Sequence, residues 1–160
     1  NKRLQIINPR TPRFYTLPNI HKKDNPGRPV ISSINCPTSN FSKFVDFHLQ
    51  PIVKLIPSYV RDTKDFLNKI KNIENYPKDT YLVTMDVKSL YTNIPNSEGI
   101  TAVKRSLERH LERTVDTKVI TTFLALILTL NNFIFNGKSH AQWEVCVHLL
   151  RQIYLWLNLK

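Results

Sequence analysis

Glycine is the scarcest constraint on this chain. Only Gly27, Gly99 and Gly137 occur in 160 residues, where ordinary usage would supply roughly eleven. Clustered glycines make the tight, phosphate-hugging turns of the Rossmann fingerprint and the P-loop, so both are excluded. The chain must turn instead on proline, asparagine and aspartate, and it has ten prolines. Its 41% hydrophobic content, with eight Phe, six Tyr and two Trp, is enough for a packed core and excludes a wholly disordered chain. The length fits one domain or part of a larger one. Because the first residue is Asn1 rather than Met, a piece of a longer protein is expected.

Charge is unevenly placed. Residues 1–28 hold Lys2, Arg3, Arg10, Arg13, Lys22, Lys23 and Arg28 against Asp24 alone, which is +6 of the formal +11. Such a segment suits a polyanion, either nucleic acid or an acidic membrane surface, or is simply a solvated basic arm. A membrane surface fits least, because no long basic amphipathic helix with an aromatic apolar face is present. The most apolar run, Phe123 to Leu130, is too short to span a bilayer and reads as a buried helix. Cys36 and Cys146 form no C-x-x-C pair, and the five histidines show no metal spacing. A reducing intracellular location, nuclear or cytoplasmic, is the default.

The pattern predicts an α+β fold. Arg13 to Pro18 and Arg28 to Ile34 read as strands around a turn at Asp24-Asn25-Pro26-Gly27. Phe41 to Leu55 reads as a helix with Phe44, Phe47, His48 and Leu55 on one face, bent or divided at Pro51. Asp62 or Thr63 caps a helix carrying Phe66, Leu67 and Ile70. Tyr81 to Asp86 reads as a strand. Ser97 to Arg113 reads as a helix with Ile100, Val103, Leu107 and Leu111 on its apolar side. Asp116 caps a further helix through Leu130. Phe133 to Lys138 reads as a hairpin, because Asn136-Gly137 supplies the positive φ of a type I′ turn.

Chemistry concentrates in Thr84 to Pro95, where an apolar strand ends in Asp86 and Tyr91 follows five residues on. A carboxylate held at a strand end is placed as a Mg²⁺ ligand must be. It equally serves to start a turn, with Tyr91 in the core.

Four blocks in order resemble the reverse transcriptase domain of Penelope-like retroelements. Phe14-Tyr15-Thr16-Leu17-Pro18-Asn19-Ile20-His21-Lys22 resembles the family's first fingers motif. Gly27-Arg28-Pro29-Val30-Ile31-Ser32 resembles its second, and Met85 to Pro95 the first catalytic block of the palm. Phe133 to Lys138, with His140 and Gln142, resembles the approach to the next palm block, where the family usually has Tyr at the His140 position. The resemblance covers residues 13–142. It implies a partial right-hand polymerase fold, fingers plus the start of the palm, built of short antiparallel strands with helices. Residues 1–12 would be a basic entry segment and 143–160 an aberrant tail.

Carried to this chain, the resemblance implies that Asp86 ligates catalytic Mg²⁺ with the Val87 carbonyl as a second oxygen. Tyr91 would lie beneath the incoming sugar and reject a ribose 2′-hydroxyl. Arg28 and Lys22 would hold the triphosphate of a dNTP, and Gln142 would approach the nucleotide. Arg13 and Lys23 would contact the nucleic acid, an RNA template with a DNA primer. The parent activity would be RNA-directed DNA synthesis, in which two metals activate the primer 3′-hydroxyl and stabilise pyrophosphate.

The family's later Asp-Asp pair does not occur, and Asp116 is the only aspartate after Asp86. An inactive chain is therefore expected. The alternatives are a non-catalytic basic nucleic-acid-binding module and the product of a decayed retroelement. Residues 143–160 read as an out-of-frame copy of the missing block. With Gln142 encoded CAA the shifted frame reads Met, then Gly from the last base of the Trp143 codon joined to a Glu codon, and with permitted codons it continues through a Pro and an Asn-x-Phe-Met run like the family's. A genuine amphipathic helix burying Leu149, Leu150, Ile153 and Leu157 is the other reading.

Overall fold

The computed structural model describes residues 4–75, 77–84, 95–109 and 115–141. Among them the chain is α+β, with four helices and a four-stranded mixed sheet. Strand β1 is Arg13–Pro18 and β2 is Gly27–Ser32. Helix α1 is Ser39–Lys54 and α2 is Thr63–Lys71. Helices α3, Asn96–Arg109, and α4, Thr117–Thr129, follow. The chain then forms β3, Asn132–Phe135, and β4, Lys138–Ala141.

The buried cluster is helical. Val45, Leu49, Ile52 and Val53 of α1, with Ile56 just beyond it, meet Ala102, Val103 and Leu107 of α3 and Ile120, Leu124, Ile127 and Leu128 of α4. Each set recurs at three- and four-residue steps, the period that puts side chains on one face of a helix. Helix α4 is the middle member and packs against both α1 and α3. Small residues on α3, namely Gly99, Ala102 and Ser106, are buried beside Val103 and Leu107. Phe41 and Phe44 close the edge by packing on Phe123, with ring centroids 4.9 and 5.4 Å away.

Two expectations for α1 are corrected. Its buried stripe starts at Val45, one residue after Phe44, so Phe47 and Leu55 are exposed rather than on the core face. Aromatic bulk suggested the wrong face, whereas the branched aliphatics form the stripe that meets α4. Pro51 does not divide the helix, which runs unbroken from Ser39 to Lys54. Proline removes one amide donor, and the carbonyl it deprives belongs to Phe47, a residue on the solvent side.

Both helix caps that the sequence marks are formed. The Asp62 carboxylate accepts from the Asp65 amide at 2.8 Å, and the Asp116 carboxylate accepts from the Lys118 amide at 2.9 Å. The Asp65 amide and the Arg61 side chain hold the Asp62 carboxyl below its ordinary range. The Arg61 amide, and then the Lys69 ammonium, do the same to Asp65. Helix α2 ends near Asn72 and has no buried residue.

Residues 81–84, the described part of the expected Tyr81–Asp86 strand, are not in a strand, and Tyr81, Leu82 and Val83 are exposed. Residues 85 and 86 lie outside the described residues. A strand is stable only with a neighbour to receive its backbone bonds, and the sheet runs β2-β1-β3-β4 without this segment. Leu111 and the end of the expected Ser97–Arg113 helix also lie outside the described residues.

The strands are not all antiparallel. β1 pairs antiparallel with β2 from Arg13↔Ser32 to Pro18↔Gly27, but it pairs parallel with β3 at Arg13↔Ile134. A parallel neighbour demands a long crossover, and the four helices lie within it. β3 and β4 form the expected hairpin, with Asn136 at φ 48° and Gly137 at φ 73°.

The link from β2 to α1 folds around Cys36. Its backbone amide donates to Ser39 Oγ at 3.0 Å, and the Ser39 hydroxyl donates to the Ser33 carbonyl. The Cys36 thiol is buried and lies 3.3 Å from the Thr38 and Ser39 hydroxyls. Burial pushes that thiol up, but the two hydroxyls and nearby amides outweigh it and leave it below the ordinary thiol range. No helix among the described residues is long and apolar enough to cross a membrane.

Candidate nucleic-acid interface

The sheet has two unlike faces, because successive side chains along a strand point to opposite sides. One face gathers aromatic rings. Phe14 stacks on Phe133 at 5.7 Å and meets Phe135 edge-on at 4.9 Å, while His140 stacks on Phe133 at 5.4 Å. Such ring pairs add modestly to the apolar area they cover.

The other face is basic and half-apolar. Counting by twos from the register puts Arg13, Tyr15 and Leu17 of β1 there. Opposite them on β2 stand Ser32, Val30 and Arg28, and on β3 Ile134 lies beside Arg13. Arg13 and Arg28 are exposed. Tyr15, Leu17 and Ile134 remain 44%, 50% and 49% exposed, so water still covers this face. None of the residues in these strands is acidic.

The β1–β2 turn adds two more cations. The Asn19 amide donates to the Pro26 carbonyl, the Lys22 amide to Asn19, and the Asn25 amide to Lys22, at 3.0 to 3.1 Å. Asp24 and Asn25 take positive φ of 66° and 42° to close it. Lys22 and Lys23 are exposed in this turn. The turn and β2 therefore bring Lys22, Lys23 and Arg28 to one end of the hairpin. Arg13 stands at the other end, on the same face as Arg28. Four residue steps along the strand separate them, about 13 Å at ~3.3 Å per residue.

None of these four cations forms an ion pair among the described residues, where the ion pairs are Arg61–Asp62, Lys69–Asp65 and Lys104–Glu108. Unpaired cations beside half-exposed apolar and aromatic side chains are what binding a phosphate-linked, base-bearing polymer requires.

The remaining sequence-marked residues, Asp86, Val87, Tyr91 and Gln142, lie outside the described residues. Among the described ones no three His, Cys, Asp or Glu side chains gather as metal ligands. Asp116, the one aspartate after Asp86, spends its carboxylate on the cap of α4.

Sequence reasoning marked Arg13 and Arg28 but not the three side chains between and beside them. The alternation in Arg13-Phe14-Tyr15-Thr16-Leu17 already separates the faces. Placing Arg28 and Ile134 on the Tyr15 side needs the strand register, which a single sequence does not give. Comparison with protein-family models, with curated proteins and with solved structures returned no match.

Proposed function

We propose that this chain is a portion of a reverse transcriptase of the Penelope-like kind, the fingers and the start of the palm, which binds nucleic acid without extending it. The observation that carries the reading is the basic face of the β1–β2 hairpin, whose strands hold no acidic residue and whose turn sets Asp24 alone against Lys22 and Lys23, and most of it comes from the two blocks that resemble the fingers motifs. In this reading Arg13 and Lys23 hold the sugar–phosphate backbone of an RNA template or DNA primer. Arg28 and Lys22 hold the triphosphate of a dNTP, where flexible cations clamp charge by hydrogen bonds to phosphate oxygens. Asp86 and the Val87 carbonyl belong to Mg²⁺, Tyr91 to the sugar and Gln142 to the nucleotide.

One carboxylate does not hold two metal ions, so binding and chemistry come apart here. The test is primer extension on an RNA template with Mg²⁺ and dNTPs, run beside a binding assay. The expected result is no template-dependent extension, together with binding that survives Asp86→Ala. Extension by the wild-type chain that is lost in Asp86→Ala contradicts the proposed inactivity. Binding that collapses in Asp86→Ala contradicts the assignment of affinity to the hairpin.

A further inference from the structure

We propose that the Tyr15 face of the sheet is a stacking platform for single-stranded nucleic acid, with an unpaired base seated on the Tyr15 ring. This rests on the nucleic-acid-binding part of the reading above and goes beyond it, because backbone cations alone do not choose between single and double strands.

The argument starts from the position of the ring. Tyr15 is in the middle of β1, two residues from Arg13 and two from Leu17 on the same face. Its cross-strand partner is Val30, a β-branched residue too small to span the ring. The ring is 44% exposed. A flat ring left half in water on a sheet face leaves one π-face open to a stacking partner.

Charge identifies what covers it. Arg13 stands at one end of the platform, and Arg28, Lys22 and Lys23 stand at the other. No carboxylate stands in these strands, the single one in the turn, Asp24, leaves the group net positive, and none of the four cations is ion-paired among the described residues. A partner must therefore bring negative charge at two places and a flat apolar surface between them. A single strand does this, with phosphates on both sides of an exposed base. A duplex brings the phosphates but keeps its base faces inside the stack. Leu17, two residues along β1, and Ile134, beside Arg13, are each about half exposed and extend the apolar surface of this face.

The test uses the whole chain and three labelled probes, read by fluorescence anisotropy. The probes are a pyrimidine oligonucleotide, the same strand annealed to its complement, and a base-free sugar–phosphate strand of equal length. Tyr15→Val keeps a strand-forming residue and removes the π-face, and Tyr15→Trp keeps the π-face. Tyr15→Val is expected to weaken single-strand binding about tenfold, within the range stacking supplies per base. It should leave duplex binding unchanged, and Tyr15→Trp should restore the single-strand affinity. The base-free strand should bind the wild type about as weakly as the single strand binds Tyr15→Val. Circular dichroism melts establish that the variants are folded. If Tyr15→Val binds the single strand like wild type while Arg13→Glu/Arg28→Glu does not, the stacking platform is overturned and the basic interface stands. If the wild type binds neither strand form, both fall together.

Discussion

Leu124→Ala lowers the unfolding free energy by about 2–5 kcal/mol, the range for removing a fully buried leucine and leaving a cavity. Leu124 has no exposed surface and belongs to α4, the helix that packs against both α1 and α3. Truncating it therefore leaves a space that neither neighbour fills alone. Among the described residues the clustered core is twelve side chains from the helices and the turn after α1, and no strand residue belongs to it. Net stabilities are marginal, so one such loss is a large share of the total. Leu126, two residues on and turned toward solvent, is the internal control. Leu126 is 36% exposed, so Leu126→Ala should cost clearly less than Leu124→Ala. Urea unfolding followed by circular dichroism checks both. The Leu124→Ala midpoint falls at unchanged slope, and equal effects of the two substitutions would contradict the helical core.

Replacing Arg13 and Arg28 by glutamate abolishes most of the salt-sensitive binding to single-stranded nucleic acid. Four cations unpaired among the described residues, Arg13, Lys22, Lys23 and Arg28, give a slope of about −2.8 in log affinity against log salt, at about −0.7 per phosphate neutralised. Between about 50 and 200 mM salt the wild type should lose about 50-fold in affinity. With two cations left the slope is about −1.4, and the same change of salt costs about sevenfold. The two new carboxylates also repel phosphate, so affinity at low salt falls as well. Both positions are exposed and unpaired among the described residues, so folding should be little affected. A salt series of binding curves for the two proteins is the check, and an unchanged slope would place the interface elsewhere.

Local chemistry was the legible part of the sequence. Asp62 and Asp116 cap the helices they mark, because a carboxylate three or two residues before an open amide needs no distant partner. Asn136-Gly137 makes its turn for the same local reason. What failed depended on distant neighbours. Tyr81 to Val83 has strand-like residues, but a strand exists only through its partner, and the described sheet has none for it. Phe47 and Leu55 are as apolar as Val45 and Leu49, yet the position of α4 decides which side of α1 is buried. The parallel β1–β3 pairing joins residues about 120 positions apart, and nothing near Arg13 or Ile134 announces it. Of the site, the cations were visible as charge. The platform between them was not, because it is assembled by register.

The measurement that most directly tests the assignment of nucleic-acid binding to the β1–β2 hairpin is an amide NMR titration with a short single-stranded oligonucleotide. The largest shifts are expected at Arg13–Leu17, at Lys22 and Lys23, along β2 and at Ile134. Little change is expected on the exposed basic side of α3, at Lys104, Arg105 and Arg109. Shifts confined to that helix, or no shifts at saturating oligonucleotide, would contradict the account.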